Sequence, residues 1–284
     1  MTASANHDQA ELWNGRSGSV WVDERVALDR MFAPLASFLV EKASHVAKGL
    51  PSGCVLDVGC GTGGTTLALA DMLGERWQVT GVDISAPMIA EARSRAAHAR
   101  KSVAFLRADA QTHALPGAQF DLVVSRLGVM FFDDPVAAFA NLLTSARRGA
   151  SLHALAWRSP AENPFMTVAE RAAAPMLDAM PARVPGAPGQ FGFADAARVE
   201  RILGDAGWRD VVLSPVQFDC ALALADLRTY ASRLGPVGLA LTRLATHERE
   251  RVIDKVVDAF APFVSGNDVR FAAACWHLSA RAPA

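Results

Sequence analysis

Several features that define other classes of protein are scarce or absent in this sequence. Its 284 residues include one tyrosine and four cysteines, and no Cys-x-x-Cys pair indicates a zinc or redox site. No apolar run approaches the ~18–20 residues that are needed to cross a bilayer. The 28 basic and 29 acidic side chains nearly cancel, whereas binding of nucleic acid irrespective of its sequence requires a surplus of Lys and Arg. We therefore expect no bound metal, no nucleic-acid partner and no membrane insertion.

The N-terminal segment and the cysteines indicate where the protein works. The segment MTASANHDQAELWNG is polar and acidic, whereas a secretory signal would be basic and then apolar. Cys54, Cys60, Cys220 and Cys275 are interpreted as buried free thiols, which a reducing compartment favours. Because 51% of the residues are apolar, a chain of this length forms a large core without crosslinks. We expect a globular protein of the cytoplasm; a homo-oligomer is compatible with the sequence but is not indicated by it.

Short apolar runs alternate with helical patterns through the first half of the chain. Strands are predicted at 53–59, 78–83, 102–109, 119–126 and 149–157, and helices at 64–74, 85–100 and 135–146. The first of these runs, GCVLDVG, is apolar without alternation, as expected of a strand that is buried on both faces. Strands and helices in this order are typical of βαβ units and predict a parallel, doubly wound α/β sheet.

The second half of the chain is less regular. Residues 158–192 contain six prolines, and 158–200 is interpreted as a partly irregular flap over the sheet. The last two strands are predicted at 207–220 and 268–281, and the residues between them, 221–266, have a helical pattern. This helical insert, like the flap, is expected to shape a substrate pocket.

An N-terminal arm and cap helix precede the first strand. They occupy residues 1–48, and the amphipathic pattern predicts one helix over 22–48. No repeat and no linker divides the chain, so we expect a single domain over 1–284 with its core at 50–160.

A glycine-rich turn, LDVGCGTGG at 56–64, follows the first predicted strand. Gly59, Gly61 and Gly63 allow a sharp turn and a close approach of the backbone to a ligand, because no Cβ intervenes. The helix that follows presents unpaired N–H groups and the positive end of its dipole at the same place. The spacing also fits the dinucleotide pattern G-x-G-x-x-G through Gly64. The turn alone therefore does not identify its ligand.

Two carboxylates follow at the ends of the next two strands. Asp83 ends the second strand, where it can accept hydrogen bonds from both hydroxyls of a ribose. Asp109 ends the third strand, where it can accept from an adenine amino group. Because carboxyl ends of parallel strands share one edge of the sheet, both lie beside the glycine turn. Together they indicate an adenosine-containing ligand.

The segments LDVGCGTGG, GVDIS, ADAQ and FDLVVSR, in this order, resemble class I S-adenosylmethionine-dependent methyltransferases. Within that family they are most similar to the branch of the ubiquinone- and menaquinone-biosynthesis type. The resemblance implies a doubly wound, mostly parallel, Rossmann-like sheet of seven strands with a helical N-terminal cap and lid insertions. Residues 268–281 would supply the antiparallel seventh strand. It also implies S-adenosylmethionine as the cofactor, S-adenosylhomocysteine as the product, and a small, hydrophobic or aromatic acceptor.

The resemblance assigns roles to individual residues around the cofactor. Asp57 would orient the glycine turn around the methionine moiety, Ile84 and Met88 would flank the adenine, and Ser125 with Arg126 would lie under the methionine end. A structural salt bridge remains an alternative for Arg126. The expected cofactor-binding set is Trp13, Asp57, Gly59, Gly61, Thr62, Gly63, Asp83, Ile84, Met88, Asp109, Ala110, Ser125 and Arg126.

Apolar and aromatic residues mark the expected acceptor side. Met130 and Phe131 follow the fourth strand, Trp157 ends the fifth, and all three are candidates for the acceptor pocket, with ordinary core packing as the alternative. Trp13 and Trp21 lie in a polar arm, and two tryptophans there are expected to close over the bound cofactor.

No residue is identified as a catalytic base. In-line methyl transfer needs a base only when the acceptor must lose a proton, and His153, inside the fifth strand, is interpreted as a core residue. A non-catalytic S-adenosylmethionine-binding protein remains an alternative. An NAD(P)-dependent dehydrogenase is a weaker alternative, because Tyr230 is followed by Leu234 where a short-chain dehydrogenase has lysine.

Overall fold

The computed structural model describes residues 6–177, 180 and 183–284. The start of the predicted arm (1–5) and two short parts of the predicted flap (178–179 and 181–182) lie outside the described residues. The strands are β1 (Gly53–Val58), β2 (Trp77–Asp83), β3 (Ala104–Arg107), β4 (Phe120–Arg126), β5 (Ala146–Trp157), β6 (Arg209–Ala223), β7 (Val264–Ser265) and β8 (Asp268–Arg281).

One sheet contains all of these strands, in the order β3-β2-β1-β4-β5-β8-β6. Strands β1 to β5 pair in parallel, and β8 runs antiparallel between β5 and β6. The predicted α/β fold and its antiparallel seventh strand are therefore confirmed. The sheet also has an eighth strand that the sequence did not predict, because β7 is only two residues long and pairs with the start of β8.

Twelve α-helices surround the sheet. They are α1 (His7–Asn14), α2 (Arg16–Asp23), α3 (Arg25–Met31), α4 (Ala33–Ala47), α5 (Gly64–Leu73), α6 (Ala86–His98), α7 (Pro135–Ser145), α8 (Pro164–Ala173), α9 (Ala196–Asp205), α10 (Leu227–Arg233), α11 (Gly235–Ala240) and α12 (Thr246–Ala259), counted over the described residues. Side-chain caps define several starts: the Ser85 hydroxyl accepts from the Met88 N–H, and the Asp134 carboxylate accepts from the Ala137 N–H.

The prediction of one N-terminal helix over 22–48 is wrong. The segment consists of the end of α2, then α3 and α4, with breaks at Glu24 and Phe32. Pro34 stands in the first turn of α4, where it lacks the N–H that a continuous helix would need to bond the Arg30 carbonyl. The break at Phe32 follows from this missing bond.

Other differences concern the ends of elements and the content of the flap. The predicted strand 102–109 is shorter, since β3 contains only Ala104–Arg107. The predicted flap contains α8 and the start of α9 on either side of an irregular stretch, and the helical insert contains α10, α11 and α12. Helix α9 packs against β6 and α7 and so belongs to the layer that covers the sheet.

The core lies on both faces of the sheet. Val55, Leu56 and Val58 of β1 are buried on both faces, as expected of a central parallel strand. No helix within the described part of the chain is long and apolar enough to span a bilayer. The carboxyl ends of β1 to β5 meet at one edge of the sheet, where the flap, the arm and the helical insert converge.

Candidate functional site

A cavity of about 820 Å³ lies at this edge of the sheet, which is where open α/β sheets bind ligands. Its floor is formed by the loops after β1, β2, β3 and β4, and its cover by α1, α2, the flap and α10. The volume is in the range of small-molecule sites. Of the predicted site residues, it is lined by Trp13, Asp57, Gly59, Gly61, Thr62, Asp83, Ile84, Met88, Asp109, Ala110, Arg126, Met130, Phe131 and Trp157.

Two predicted residues do not line this cavity. Gly63 has a φ of 82°, and a Cβ there would lie 2.9 Å from the Phe105 ring, so this glycine serves packing against β3. Ser125 is fully buried, and its hydroxyl donates to the Val58 carbonyl over 2.8 Å while accepting from the Gly128 N–H. It fastens the end of β4 to the end of β1.

The glycine turn approaches the cavity through its backbone. Gly59 and Gly61 have φ values of 66° and 55°, a region that favours glycine. A Cβ on Gly59 would lie 2.8 Å from the Cα of Gly128, so the turns after β1 and β4 can pack together only without a side chain there. Arg95 holds the turn from outside, donating to the Thr62 carbonyl over 2.8 Å.

Asp57 presents an unpaired carboxylate oxygen. Its Oδ2 accepts from the Thr66 hydroxyl over 2.6 Å, whereas its buried Oδ1 has no hydrogen-bond partner among the described residues. Burial raises the pKa of this carboxyl to about 6, although the Thr66 hydrogen bond and the charge of Arg126 lower it. A buried carboxylate oxygen without a donor fits an ammonium group, such as that of the expected methionine moiety.

Arg126 belongs to an ion-pair cluster at the wall of the cavity. Its Nη2 lies 3.6 Å from Oδ1 of Asp29 in α3, and Oδ2 of Asp29 lies 2.7 Å from Arg95. The expected salt bridge of Arg126 is thus present, while the residue also lines the cavity. Asp29 was not predicted, because nothing in the local pattern of α3 indicates that it meets β4.

Asp83 accepts one backbone hydrogen bond on each oxygen. The Gly61 N–H donates to Oδ2 and the Ser85 N–H donates to Oδ1, both over 2.8 Å. Burial raises the pKa of this carboxyl, and the two N–H donors partly offset that effect. Each oxygen retains an acceptor site, so the carboxylate can receive two hydroxyls that lie side by side. This is the arrangement that a ribose requires.

Asp109 contacts the start of the described arm, at Asn6, a residue that the sequence analysis did not identify as part of the site. Its Oδ1 accepts from the Gln111 N–H over 2.9 Å and from the Asn6 side-chain amide over 3.1 Å. The side-chain oxygens of Asn6 and Gln9 are buried and lack a donor within the described chain. These two acceptors and Asp109 all line the cavity, and they suit a ligand that presents an amino group there.

The arm is fixed over the loop that follows β2. The Trp13 carbonyl accepts from the Ser85 hydroxyl over 2.6 Å, and the Asn14 side chain bonds the Ile84 carbonyl and the Ala86 N–H. The Trp13 ring makes edge contacts with Trp21 and with Phe131, at centroid distances of 6.0 and 5.2 Å. Both tryptophans thus line the cavity, and their closing over a bound cofactor stays a prediction.

Of the predicted acceptor residues, Met130 and Trp157 are buried and Phe131 is half-buried against the core, and all three line the cavity. The Trp157 N–H donates to the Met130 sulfur over 3.2 Å, and Trp157 also packs against Phe32 of the cap. Pocket wall and core packing, which the sequence left as alternatives, are thus both true of these residues.

Other residues of the cavity wall come from segments that the sequence assigned only as regions. Phe165 and Glu170 of α8, Arg183 of the flap, and Tyr230 of α10 line the cavity. Glu170 and Arg183 form an ion pair of 2.5 Å. No spacing or motif could predict these partners, because they lie far apart along the chain.

Histidines take no part in the cavity wall within the described residues. His153 and His277 instead contact each other, with Nδ1 of His153 3.0 Å from Nε2 of His277, across β5 and β8. Burial is the main cause that lowers the pKa of each to about 4. No group of three or more His, Cys, Asp or Glu side chains in the described ranges could hold a metal ion.

Part of the chain is similar in sequence to known methyltransferases. Residues 55–149 match the family model described as "Methyltransferase domain". The chain is 34% identical over 111 residues to aklanonic acid methyltransferase DauC from Streptomyces sp. (strain C5), a match that covers 39% of this chain and 49% of the relative. The chain thus spans about half the length of this curated relative.

Solved structures share the fold at low sequence identity. Magnesium protoporphyrin IX methyltransferase from Synechocystis PCC 6803, solved with bound S-adenosylhomocysteine, has a TM-score of 0.53 and 20% identity over 76% of this chain and 92% of its own. Phosphoethanolamine N-methyltransferase 2 from Haemonchus contortus, solved with S-adenosylmethionine, has a TM-score of 0.50 and 16% identity over 86% of this chain and 53% of its own.

Proposed function

We infer that this chain, whose residues 55–149 match the model of a methyltransferase domain, is a class I S-adenosylmethionine-dependent enzyme that transfers a methyl group to a small acceptor. The observation that carries this proposal is the unpaired Oδ1 of Asp57 beside the glycine turn. Asp83 lies at the end of the next strand, and each of its two carboxylate oxygens can accept one further hydrogen bond. An ammonium group and a ribose in one ligand satisfy both.

The residues present would hold S-adenosylmethionine along the cavity floor. Asp57 would bind its ammonium group and Asp83 its ribose hydroxyls, while Gly59 and Gly61 would allow its close approach. Ile84 and Met88 would contact the adenine, and Asp109, Ala110 and the arm would meet its edge. Trp13, Thr62 and Arg126 would complete the site.

The remaining work of the chain is alignment and exclusion of water. S-adenosylmethionine, when bound, supplies a methyl group on a sulfonium that leaves readily, so the protein must chiefly hold the acceptor close and in line. Trp13 and Phe131 cover the cavity from the arm and from the turn after β4. This cover keeps water from the reacting atoms.

We propose a small, hydrophobic or aromatic acceptor. Met130, Phe131 and Trp157 offer it an apolar wall, and rings from α8 and α10 continue this wall. The similar proteins do not identify the acceptor, because aklanonic acid, magnesium protoporphyrin IX and phosphoethanolamine, after which they are named, are chemically different. The proposal therefore depends on the lining of this cavity.

We also propose that the protein works in the cytoplasm on a small molecule. The four cysteines are free, and three of them are buried, as a reducing compartment favours. The balanced net charge supports a small-molecule acceptor over nucleic acid.

Calorimetric titration tests the proposal. We expect S-adenosylhomocysteine to bind at roughly micromolar strength and NADH not to bind. Asp83→Ala should weaken S-adenosylhomocysteine about 10- to 150-fold, because a charged acceptor of two hydroxyls is lost. Asp71→Ala, which changes an exposed carboxylate paired with Lys101, is the control and should bind normally.

Two results would redirect the proposal. Binding of NADH without S-adenosylhomocysteine would identify the site as that of a dehydrogenase. Binding of S-adenosylhomocysteine with no methyl transfer to any of a panel of hydroxylated aromatic acceptors would favour a non-catalytic binding protein.

A further inference from the structure

The part of the cavity between α8, α10 and the flap has aromatic walls. The Tyr230 ring stacks on Phe165 at a centroid distance of 5.7 Å and meets the edge of Phe260 at 6.4 Å. Met166 and Val237 add apolar surface nearby. Flat, apolar walls of this kind favour a planar apolar ligand.

Tyr230 is half-buried at the cavity wall, and its hydroxyl has no hydrogen-bond partner in the described part of the chain. The ring is partly accessible because it lines the cavity. Burial and the negative charge of nearby Glu170 raise the pKa of this hydroxyl well above its usual range. It therefore stays protonated at neutral pH and can donate a hydrogen bond. A hydroxyl at the cavity wall without a partner in the protein loses its hydrogen bond to water when a ligand fills the cavity, so we expect the ligand to supply a partner.

Glu170 is the second polar group of this region. Its Oε1 is bound by Arg183, and no described residue donates to its Oε2. Burial raises the pKa of Glu170, an effect that Arg183 offsets in part. Because Arg183 balances the carboxylate, the pair attracts neither a cation nor an anion strongly. A neutral group that both donates and accepts fits best.

We propose that Tyr230 and Glu170 form an acceptor-binding subsite for an aromatic molecule that carries a phenolic hydroxyl. The phenolic hydroxyl of the ligand accepts a hydrogen bond from Tyr230 and donates one to Oε2 of Glu170. Phe165 and Phe260 hold the Tyr230 ring in place at the wall of the cavity. This inference rests on the proposed function, which places the acceptor in the same cavity as S-adenosylmethionine. It makes Tyr230 and Glu170 specificity-determining residues, since a site built to bond a hydroxyl rejects an analogue without it.

Binding of two matched probes tests the subsite. We would titrate the protein, saturated with S-adenosylhomocysteine, with 2-naphthol and with 2-methoxynaphthalene, which keeps the ring but cannot donate. Wild type is expected to bind 2-naphthol about tenfold more tightly than 2-methoxynaphthalene. Tyr230→Phe should weaken 2-naphthol about three- to tenfold, and Glu170→Gln about tenfold or more. Both variants should leave the affinity for 2-methoxynaphthalene nearly unchanged.

Arg228→Ala is the control on the same helix. Arg228 pairs with Glu250 and Asp254 at the surface, outside the cavity, so this variant should bind both probes as wild type does. Thermal unfolding of each variant establishes that it is folded, and the ratio of the two affinities separates hydrogen bonding from general loosening. Failure of wild type to bind 2-naphthol, or to prefer it, overturns the proposal, as does a preserved preference in Tyr230→Phe and Glu170→Gln.

Binding of S-adenosylhomocysteine itself is measured in parallel. If it does not bind wild type, the proposed function is contradicted, and the probe titrations are repeated on the free protein. If S-adenosylhomocysteine binds wild type and the variants equally, but wild type binds 2-naphthol no more tightly than 2-methoxynaphthalene, only the subsite is rejected.

Discussion

The guanidinium of Arg233 in α10 lies 2.6 Å from the carboxylate of Glu24 at the junction of α2 and α3. The same guanidinium also pairs with Asp23. These ion pairs join the helical insert, on the proposed acceptor side, to the arm that covers the proposed cofactor site. A movement of the arm away from the cavity would therefore have to break the ion pairs with the helical insert, or move the insert as well.

Breaking this link should loosen the cover over the cofactor. We expect Arg233→Ala to weaken S-adenosylhomocysteine binding by about 1 kcal/mol, or roughly fivefold, because part-exposed ion pairs contribute little more than this. A double-mutant cycle with Glu24→Gln measures the coupling by calorimetry. Additive effects of the two changes would show that the pair does not act on the site.

Binding of the cofactor product should protect the arm and the flap from proteolysis. Arg16 of the arm and Arg183 of the flap line the cavity and are trypsin sites. If cleavage requires an opening that releases the ligand, S-adenosylhomocysteine at 100 times its Kd should slow it up to about 100-fold. Digestion followed by mass spectrometry measures both sites. Equal rates with and without ligand would reject the lid interpretation without affecting the family assignment.

Asp57→Asn should stabilise the free protein and weaken its binding of S-adenosylhomocysteine. The buried carboxyl has a pKa raised to about 6 from 3.8, so its ionisation opposes folding at neutral pH, by up to about 3 kcal/mol. Asparagine keeps an oxygen for the Thr66 hydroxyl and lacks the charge. Urea unfolding should show the gain at pH 7 and its loss as the pH falls through about 6 towards 4.

The same variant is expected to bind S-adenosylhomocysteine about 10- to 150-fold more weakly, because a charged hydrogen bond to the ammonium group is lost. Unchanged affinity in calorimetry would place the ammonium group elsewhere in the cavity. Asp71→Ala again serves as the control.

Acid should destabilise the protein through His153 and His277. Their pKa values are lowered from 6.5 to about 4 in the folded state, so the unfolded chain takes up protons first as the pH falls. Stability is therefore lost between about pH 6.5 and pH 4, by about 2 kcal/mol for each histidine at pH 5. When urea unfolding is measured at pH 7 and at pH 5, the free energy of unfolding of His277→Phe should fall less between the two pH values than that of wild type. His98→Gln, at an exposed position, should behave as wild type does.

The succession of strands and helices along the chain and the position of the glycine turn could be predicted from the sequence, because both follow from local patterns. Apolar runs of strand length and glycines at fixed spacing need no knowledge of distant contacts. The contacts of Asp83 with the glycine turn follow from parallel pairing alone. The break at Phe32 could also have been predicted, since Pro34 is visible in the sequence.

Other parts of the site depend on tertiary contacts and could not be predicted. Gly63 and Ser125 stand in the right motifs, but spacing does not tell which side of a turn or strand end faces a ligand. Asn6, Asp29 and Glu170 enter the site from segments whose docking is set by the whole fold.

The place of β8 in the sheet affects how the protein is made. Strand β5 ends at Trp157, yet its outer neighbour β8 ends at Arg281, more than a hundred residues later. At ~5–20 residues per second, a ribosome needs roughly 6–25 seconds to produce that stretch. During this interval the nascent chain exposes the edge of β5, a template for pairing with other chains. Pairing of this edge is therefore delayed relative to the rest of the sheet, and we expect chaperones to bind the nascent chain during this interval.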